Sequence, residues 1–159
     1  MALVRILVDG YSLLHDWPEL APGKPRHSAA ARDELIRVLT LYRDAVGTPV
    51  TIVFDGAGAP SGTPRPASTP QVEVLYSRAG QTADDIIERV AFRMKEYGEV
   101  LAVTNDYAER DTVLSLDGLA ASCQNFIRDV ENTLREQERE IKIHNRRERT
   151  KFKELKTTK

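Results

Sequence analysis

The sequence predicts an α/β fold of three layers, in which helices cover both faces of a mostly parallel central sheet. Two observations predict it. Short apolar runs alternate along the chain with longer segments whose apolar residues recur every three or four positions. The chain has 159 residues, of which 41% are hydrophobic and 30% charged, and this composition suits one globular domain with a substantial core.

Four apolar runs are predicted to be strands. Residues 3–8 and 100–103 and the run Val50–Phe54 are rich in branched apolar side chains, as is typical of strands covered on both faces. The first two strands in the chain end in Asp-Gly, which favours a turn. In Val72–Tyr76 a glutamate interrupts the apolar residues, so we expect this strand nearer the edge of the sheet.

Helices are predicted between these strands. Ser28 is expected to cap a helix that ends at Gly47, and Thr82 to cap one that ends before Gly98. A short helix over 107–114 and a long one from about residue 122 follow. The stretch 56–70 contains four of the eight prolines, so we expect a surface loop there.

The charge of the chain is unevenly distributed. The net charge is only −1, yet residues 1–130 hold 13 basic and 18 acidic residues, whereas 131–159 hold 10 basic and 6 acidic ones. The apolar repeat of the last helix also fades beyond Glu136. We therefore predict a folded domain over 1–135 and a basic, charged tail over 136–159 that is either a solvated helix or frayed.

Acidic residues follow the predicted strands at their carboxyl ends. Asp9 and Asp55 come directly after a strand, Asp106 is the third residue after the strand that ends at Val103, and Asp84 and Asp85 open a helix. Sites in parallel α/β sheets lie at this edge, so the carboxylates should meet there and require a divalent cation to offset their repulsion. Mg²⁺ or Mn²⁺ suits such oxygen ligands, and no His/Cys cluster favours zinc. Metal-assisted hydrolysis of a phosphodiester follows as the predicted chemistry.

Each acid also has a structural interpretation. Asp9 and Asp55 belong to Asp-Gly pairs that are common in turns. Asp85 stands three residues after Thr82 and can complete a capping box, which favours Asp84 as the ligand. Asp106 can cap the helix that begins at Tyr107.

The single cysteine, Cys123, can form neither an internal disulfide nor a zinc cluster, so a cytoplasmic location is expected. The longest apolar runs are far too short to span a bilayer, so no membrane partner is expected.

The ordered set of these motifs resembles the YacP-like NYN family of PIN-type ribonucleases. The resemblance implies a PIN-like sandwich, divalent metal at clustered acids and cytoplasmic RNA turnover, with cleavage of ribosome-associated messenger RNA in some members. It implies Asp9, Asp84 and Asp106 as catalytic acids, with Asp55 and Asp85 close by. The segments that carry the resemblance are 6–11, 31–33, 53–55, 72–74, 82–88, 105–107 and 129–131.

One position departs from the family pattern. Members usually carry Asn three residues after the first acid, and this chain has Ser12, whose hydroxyl is shorter and offers fewer hydrogen bonds than an amide. We predict Ser12 to be part of the catalytic set.

The first hypothesis is therefore a metal-dependent endoribonuclease that cleaves single-stranded RNA, or messenger RNA on ribosomes, with a metal-activated water. The second is a weakly active or inactive NYN domain that binds RNA or the ribosome. In both, the tail binds RNA. A small-molecule phosphotransfer domain is disfavoured, since Tyr11 occupies the place of the second aspartate that a haloacid-dehalogenase-type phosphatase needs. The predicted RNA-binding residues are Arg146, Arg147, Arg149, Lys151 and Lys153.

Overall fold

The computed structural model describes residues 3–56, 69 and 71–157. Its strands and helices alternate as predicted, and the helices cover both faces of one sheet. The elements in chain order are β1 (Leu3–Asp9), α1 (Gly10–His15), α2 (Ala29–Val46), β2 (Val50–Phe54), β3 (Val72–Tyr76), α3 (Ala83–Met94), β4 (Glu99–Val103), α4 (Tyr107–Ser115), β5 (Leu119–Ala121) and α5 (Cys123–Thr157).

Within the described residues the sheet has five strands in the order β3-β2-β1-β4-β5, and every neighbouring pair is parallel. This arrangement confirms the predicted three-layer α/β/α class. Strand β1 lies at the centre, with Val8 paired to both Ile52 and Val103. Strand β3 forms one edge, as its polar residue predicted.

Two elements differ from the sequence-based prediction. Strand β5 was not predicted, because it has only three residues and carries too little pattern to distinguish it from a loop. Helix α1 begins at Gly10 with no intervening turn, because the Asp9 side chain accepts a hydrogen bond from the Ser12 amide and caps the helix directly. The predicted Asp-Gly turn after β1 is therefore wrong.

Two apolar cores hold the layers together. On one face of the sheet, Ile6, Val8 and Ile52 pack under α1, α2 and α5. On the other face, Leu7, Val53 and Ala102 pack under α3 and α4. Because consecutive strand residues point to opposite faces, both cores draw on the same apolar runs, which explains why those runs do not alternate.

The ends of the helices follow the predicted local signals. The Ser28 side chain caps α2, and Gly47 ends that helix in the left-handed conformation at φ 80°. Helix α3 begins with the predicted capping box, in which Thr82 and Asp85 exchange side-chain and backbone hydrogen bonds. These caps determine where each helix meets the carboxyl edge of the sheet.

Helix α5 has 35 residues and is therefore about 52 Å long. Its first turns bury Phe126, Ile127 and Val130 in the core that α5 shares with α1 and α2, and Leu134 is the last residue that packs on this core. From 138 to 155 every residue is exposed. The helix is continuous through this region, so the described part of the basic tail is a solvated helix; the proposed division at residue 135 stays a prediction.

Of the predicted surface loop 56–70, residues 57–68 and 70 lie outside the described residues. Among the helices in the described ranges, none combines the length and the apolar character needed to cross a membrane.

Gly10 tests how tightly the start of α1 packs against the sheet. A Cβ at this position would lie 2.4 Å from the Phe54 ring, which itself contacts the rings of Tyr11 and Tyr76. Alanine gains about 1 kcal/mol of helix propensity, but this overlap exceeds the gain. We expect Gly10→Ala to lower the free energy of unfolding by about 1–3 kcal/mol in urea denaturation.

The control for this prediction is the same change in a Phe54→Leu background. The smaller side chain removes the overlap, so Gly10→Ala should cost much less there. An equal cost in both backgrounds would show that the ring is not the obstacle.

Candidate metal and catalytic site

Three carboxyl groups meet at the carboxyl edge of the sheet. One oxygen from each of Asp9, Asp84 and Glu109 lies within 4.8 Å of the others. The three residues come from the end of β1, the first turn of α3 and the first turn of α4, so the parallel topology brings distant parts of the chain together.

Asp9 is the central residue of this group. It is half-buried at the end of β1, and its Oδ1 accepts a hydrogen bond from the Ser12 amide at 3.4 Å. Burial raises the pKa of its carboxyl above the ordinary value, and the charges of Asp84 and Asp55 add to this, while hydrogen bonds from Ser12 oppose it. Asp9 is thus positioned by the helix that it caps.

Asp84 is placed by the capping box of α3. Because the Asp85 side chain accepts from the Thr82 amide at 3.0 Å, Asp85 is turned to the cap and remains exposed. Asp84, one residue earlier, is half-buried and joins the acidic group. The structure thus places Asp84 in the acidic group and Asp85 at the helix cap.

Glu109 is the residue that sequence reasoning missed. Only 2% of it is exposed, and its Oε2 accepts a hydrogen bond from the Thr104 hydroxyl at 2.8 Å. Burial and the neighbouring carboxyls of Asp84 and Asp9 together raise the pKa of Glu109 to about 9, although the hydrogen bond from Thr104 acts in the opposite direction. A sequence signal existed: Val113, four residues later, is buried on the same face of α4, which turns Glu109 inward.

The donor set suits a hard divalent cation. The Oε1 atom of Glu109 is buried and accepts no hydrogen bond from the described residues. A buried carboxylate oxygen without a partner is costly, and here it belongs to a group of three carboxyls that repel one another when ionised. A divalent cation bound to the three carboxylates would relieve this cost.

Asp106 and Asp55 lie near this group, but the hydrogen bonds that their carboxyls accept come from backbone amides and a hydroxyl. Asp106 is exposed, and its Oδ1 accepts hydrogen bonds from the amides of Ala108 and Glu109, so it caps α4. Asp55 accepts a hydrogen bond from the Ser77 hydroxyl at 3.0 Å. Neither belongs to the group of three, although the Asp106 cap holds the turn that carries Glu109.

The remaining predicted residues divide between the site and the tail. Ser12 is half-buried beside Asp9, which its backbone amide contacts. Cys123 is buried, and burial raises the pKa of its thiol to about 12, so it is not a nucleophile at neutral pH. The predicted RNA-binding residues are all exposed on α5: Arg146, Arg147, Arg149, Lys151 and Lys153.

The amino-acid sequence is similar to one family of known proteins. Residues 6–159 match the model of the YacP-like NYN domain. Protein YacP of Bacillus subtilis strain 168 is 31% identical over 138 residues, which are 86% of this chain and 81% of that protein.

Solved structures show the same similarity. The crystal structure of Rae1 (YacP) from Bacillus subtilis superposes with a TM-score of 0.77 at 27% identity, covering 98% of this chain and 88% of the other. A variant of Rae1 with one tryptophan replaced by leucine gives a TM-score of 0.74 at 27% identity over 90% of this chain and 84% of the other.

Glu109→Gln tests the electrostatic cost of the acidic group without any metal. The folded-state pKa of Glu109 lies above its ordinary value of 4.5, so the unfolded chain loses this proton first, and wild-type stability falls as the pH rises from about 4.5 toward 9. Glutamine cannot ionise. We expect the chelator-treated variant to exceed wild type by on the order of 2 kcal/mol at pH 8 in urea denaturation, with little difference near pH 4.

Glu96→Gln, at an exposed position, is the control and should show no such pH dependence. A stability difference between Glu109→Gln and wild type that stays constant from pH 4 to pH 8 would contradict the raised pKa.

Proposed function

Because the chain belongs to the YacP-like NYN domain family, we propose that it is a divalent-metal-dependent endoribonuclease that cleaves single-stranded RNA, with messenger RNA as its substrate. The nuclease-type fold of this family supports the proposal in general terms. The observation that carries it is the meeting of Asp9, Asp84 and Glu109 around a buried Glu109 oxygen that accepts no hydrogen bond from any residue the structure describes. A cytoplasmic location and association with ribosomes are part of the same proposal.

In this proposal Asp9, Asp84 and Glu109 hold Mg²⁺ or Mn²⁺. The bound ion supplies an activated water and offsets the charge that develops on the phosphodiester. The bond from the Ser12 amide orients Asp9, and the bond from the Thr104 hydroxyl orients Glu109, so the oxygens are held in place before substrate arrives. Glu109 must release its proton for the site to accept the ion.

Asp106, Asp55 and Asp85 remain proposed members of the wider acidic site. Asp106 acts through the cap of α4, which positions Glu109, and its charge adds to the negative potential at this edge. Asp55 contributes the same electrostatic effect, since its charge raises the pKa of Asp9. Asp85 fixes the first turn of α3, which carries Asp84.

A second function is supported by Ser12. Its short side chain stands beside Asp9 where the family usually has an asparagine amide. A hydroxyl at this position has a shorter reach and offers fewer hydrogen bonds with which to orient a water or a substrate. The second proposal is a weakly active or inactive domain that binds RNA or the ribosome through the basic tail.

Cleavage of single-stranded RNA tests the first proposal. We expect purified protein to cut it with Mg²⁺ or Mn²⁺ and to stop when the ions are chelated. Asp9→Asn removes a ligand charge and should lower the rate by on the order of a hundredfold. Asp111→Asn, on the exposed side of α4, is the matched control and should retain full activity. Intact RNA after long incubation with wild type would contradict the proposal.

The variant Asp106→Asn distinguishes, in the same cleavage assay, the role of Asp106 as the cap of α4 from the role of its negative charge. Asparagine caps helices as well as aspartate, so α4 and Glu109 should stay in place. A rate close to wild type is the expected result; a loss comparable to that of Asp9→Asn would make Asp106 a ligand instead.

Equilibrium binding tests the second proposal. If the chain is a binding module, RNA affinity should survive Asp9→Asn, fall steeply as salt rises and weaken when residues 142–159 are deleted, because phosphate contacts release counterions. Unchanged affinity after the deletion would eliminate the tail as the binding element.

A further inference from the structure

The basic residues of the exposed part of α5 lie on different sides of the helix. Five of them follow one another at intervals of three, four, three and four residues, and a helix with 3.6 residues per turn places them within an arc of about 80°. They form a continuous positive row about 21 Å long, here called the basic stripe. Its members are Arg139, Lys142, Arg146, Arg149 and Lys153.

The opposite side of the same helix has mixed charge. Arg147 and Lys151 lie more than about 90° from the centre of the basic stripe, as do all three glutamates between 139 and 155. Lys151 pairs with Glu148 at 3.9 Å on that side. On the stripe, Lys142 pairs with Glu138 at 3.6 Å, an exposed pair that contributes little and lies at the end nearer the folded domain. The positive potential is therefore concentrated on one face.

The basic stripe is remote from the acidic site. The first turn of α5 is held at the carboxyl edge of the sheet, where the Cys123 amide donates to Asn105 at 3.1 Å and Asn105 donates to Asp16 at 2.6 Å. The helix runs away from that edge at 1.5 Å per residue, which places Arg139 about 24 Å and Lys153 about 45 Å from Cys123. A nucleotide at the acidic site is out of reach of every stripe residue.

We propose that the basic stripe is a separate binding surface for the phosphate backbone of RNA, which holds a part of the molecule tens of ångströms from the bond that is cut. A single-signed row of guanidinium and ammonium groups complements a row of phosphates, whereas the mixed face does not. The stripe therefore selects long or folded RNA by affinity and takes no part in positioning the scissile phosphate. This proposal rests on the proposed functions only in taking RNA as the molecule that the chain binds.

The test compares two pairs of substitutions with the same change in charge. Arg146→Gln with Arg149→Gln removes two stripe charges, and Arg147→Gln with Lys151→Gln removes two from the opposite side; glutamine preserves the helix. Binding to a long RNA transcript is measured without divalent ions across a salt series. We expect the stripe pair to reduce the slope of log affinity against log salt by about 1.4 and to lower the affinity on the order of tenfold at 0.1 M salt. The control pair should change neither.

Cleavage assays supply the second measurement. With Mn²⁺, the stripe pair should raise KM for the long transcript at unchanged kcat. It should leave cleavage of a tetranucleotide unaffected, because a stacked tetranucleotide spans only about 14 Å. An equal loss of binding in both pairs of variants, or no loss in either, would contradict the proposal that the basic stripe binds the RNA backbone.

The two proposals fail in different ways. If wild type cuts no RNA but its binding still depends on the stripe pair alone, the nuclease proposal fails and the stripe stands. If RNA is cut but both pairs of substitutions change RNA binding equally, the stripe proposal is wrong and the nuclease proposal is retained.

Discussion

Repulsion among three carboxyl groups is the constraint on which the acidic edge of the sheet depends. One oxygen from each of Asp9, Asp84 and Glu109 lies within 4.8 Å of the others, and among the described residues no group donates to the buried Oε1 of Glu109. Burial first, and the neighbouring carboxyls second, raise the pKa of Asp9 and of Glu109 above their ordinary values. The arrangement lowers the stability of the fold, and such costs are typical of sites kept for binding or catalysis.

The fold reduces this cost through its helix ends. Asp9 caps α1, Asp84 lies in the first turn of α3, and Glu109 lies in the first turn of α4. Helix N-termini carry partial positive charge from their unpaired amides, which favours carboxylates at these positions. Three N-termini therefore converge where the sheet ends, and the capping side chains that begin the helices also set the distances between the acids.

Much of this organisation was predictable from local sequence. Apolar runs predicted four strands, and Ser28, Gly47 and the Thr82 capping box predicted helix ends, because these signals act within a few residues. Strand β5 was too short to leave a pattern. Glu109 was missed because a glutamate three residues after Asp106 resembles an ordinary surface residue in a first helical turn. Its inward orientation depends on how α4 packs, which is a tertiary effect.

The three acids are separated by 100 residues of sequence, and this spacing has a consequence for synthesis of the chain. β1 lies between β2 and β4, so the central strand is complete only when both neighbours have been made. A nascent chain that ends before α4 lacks Glu109 and has two of the three carboxyl groups. The acidic group is therefore complete only once the chain has been synthesised past Glu109, and a fragment that lacks either β1 or α4 cannot contain all three carboxyl groups.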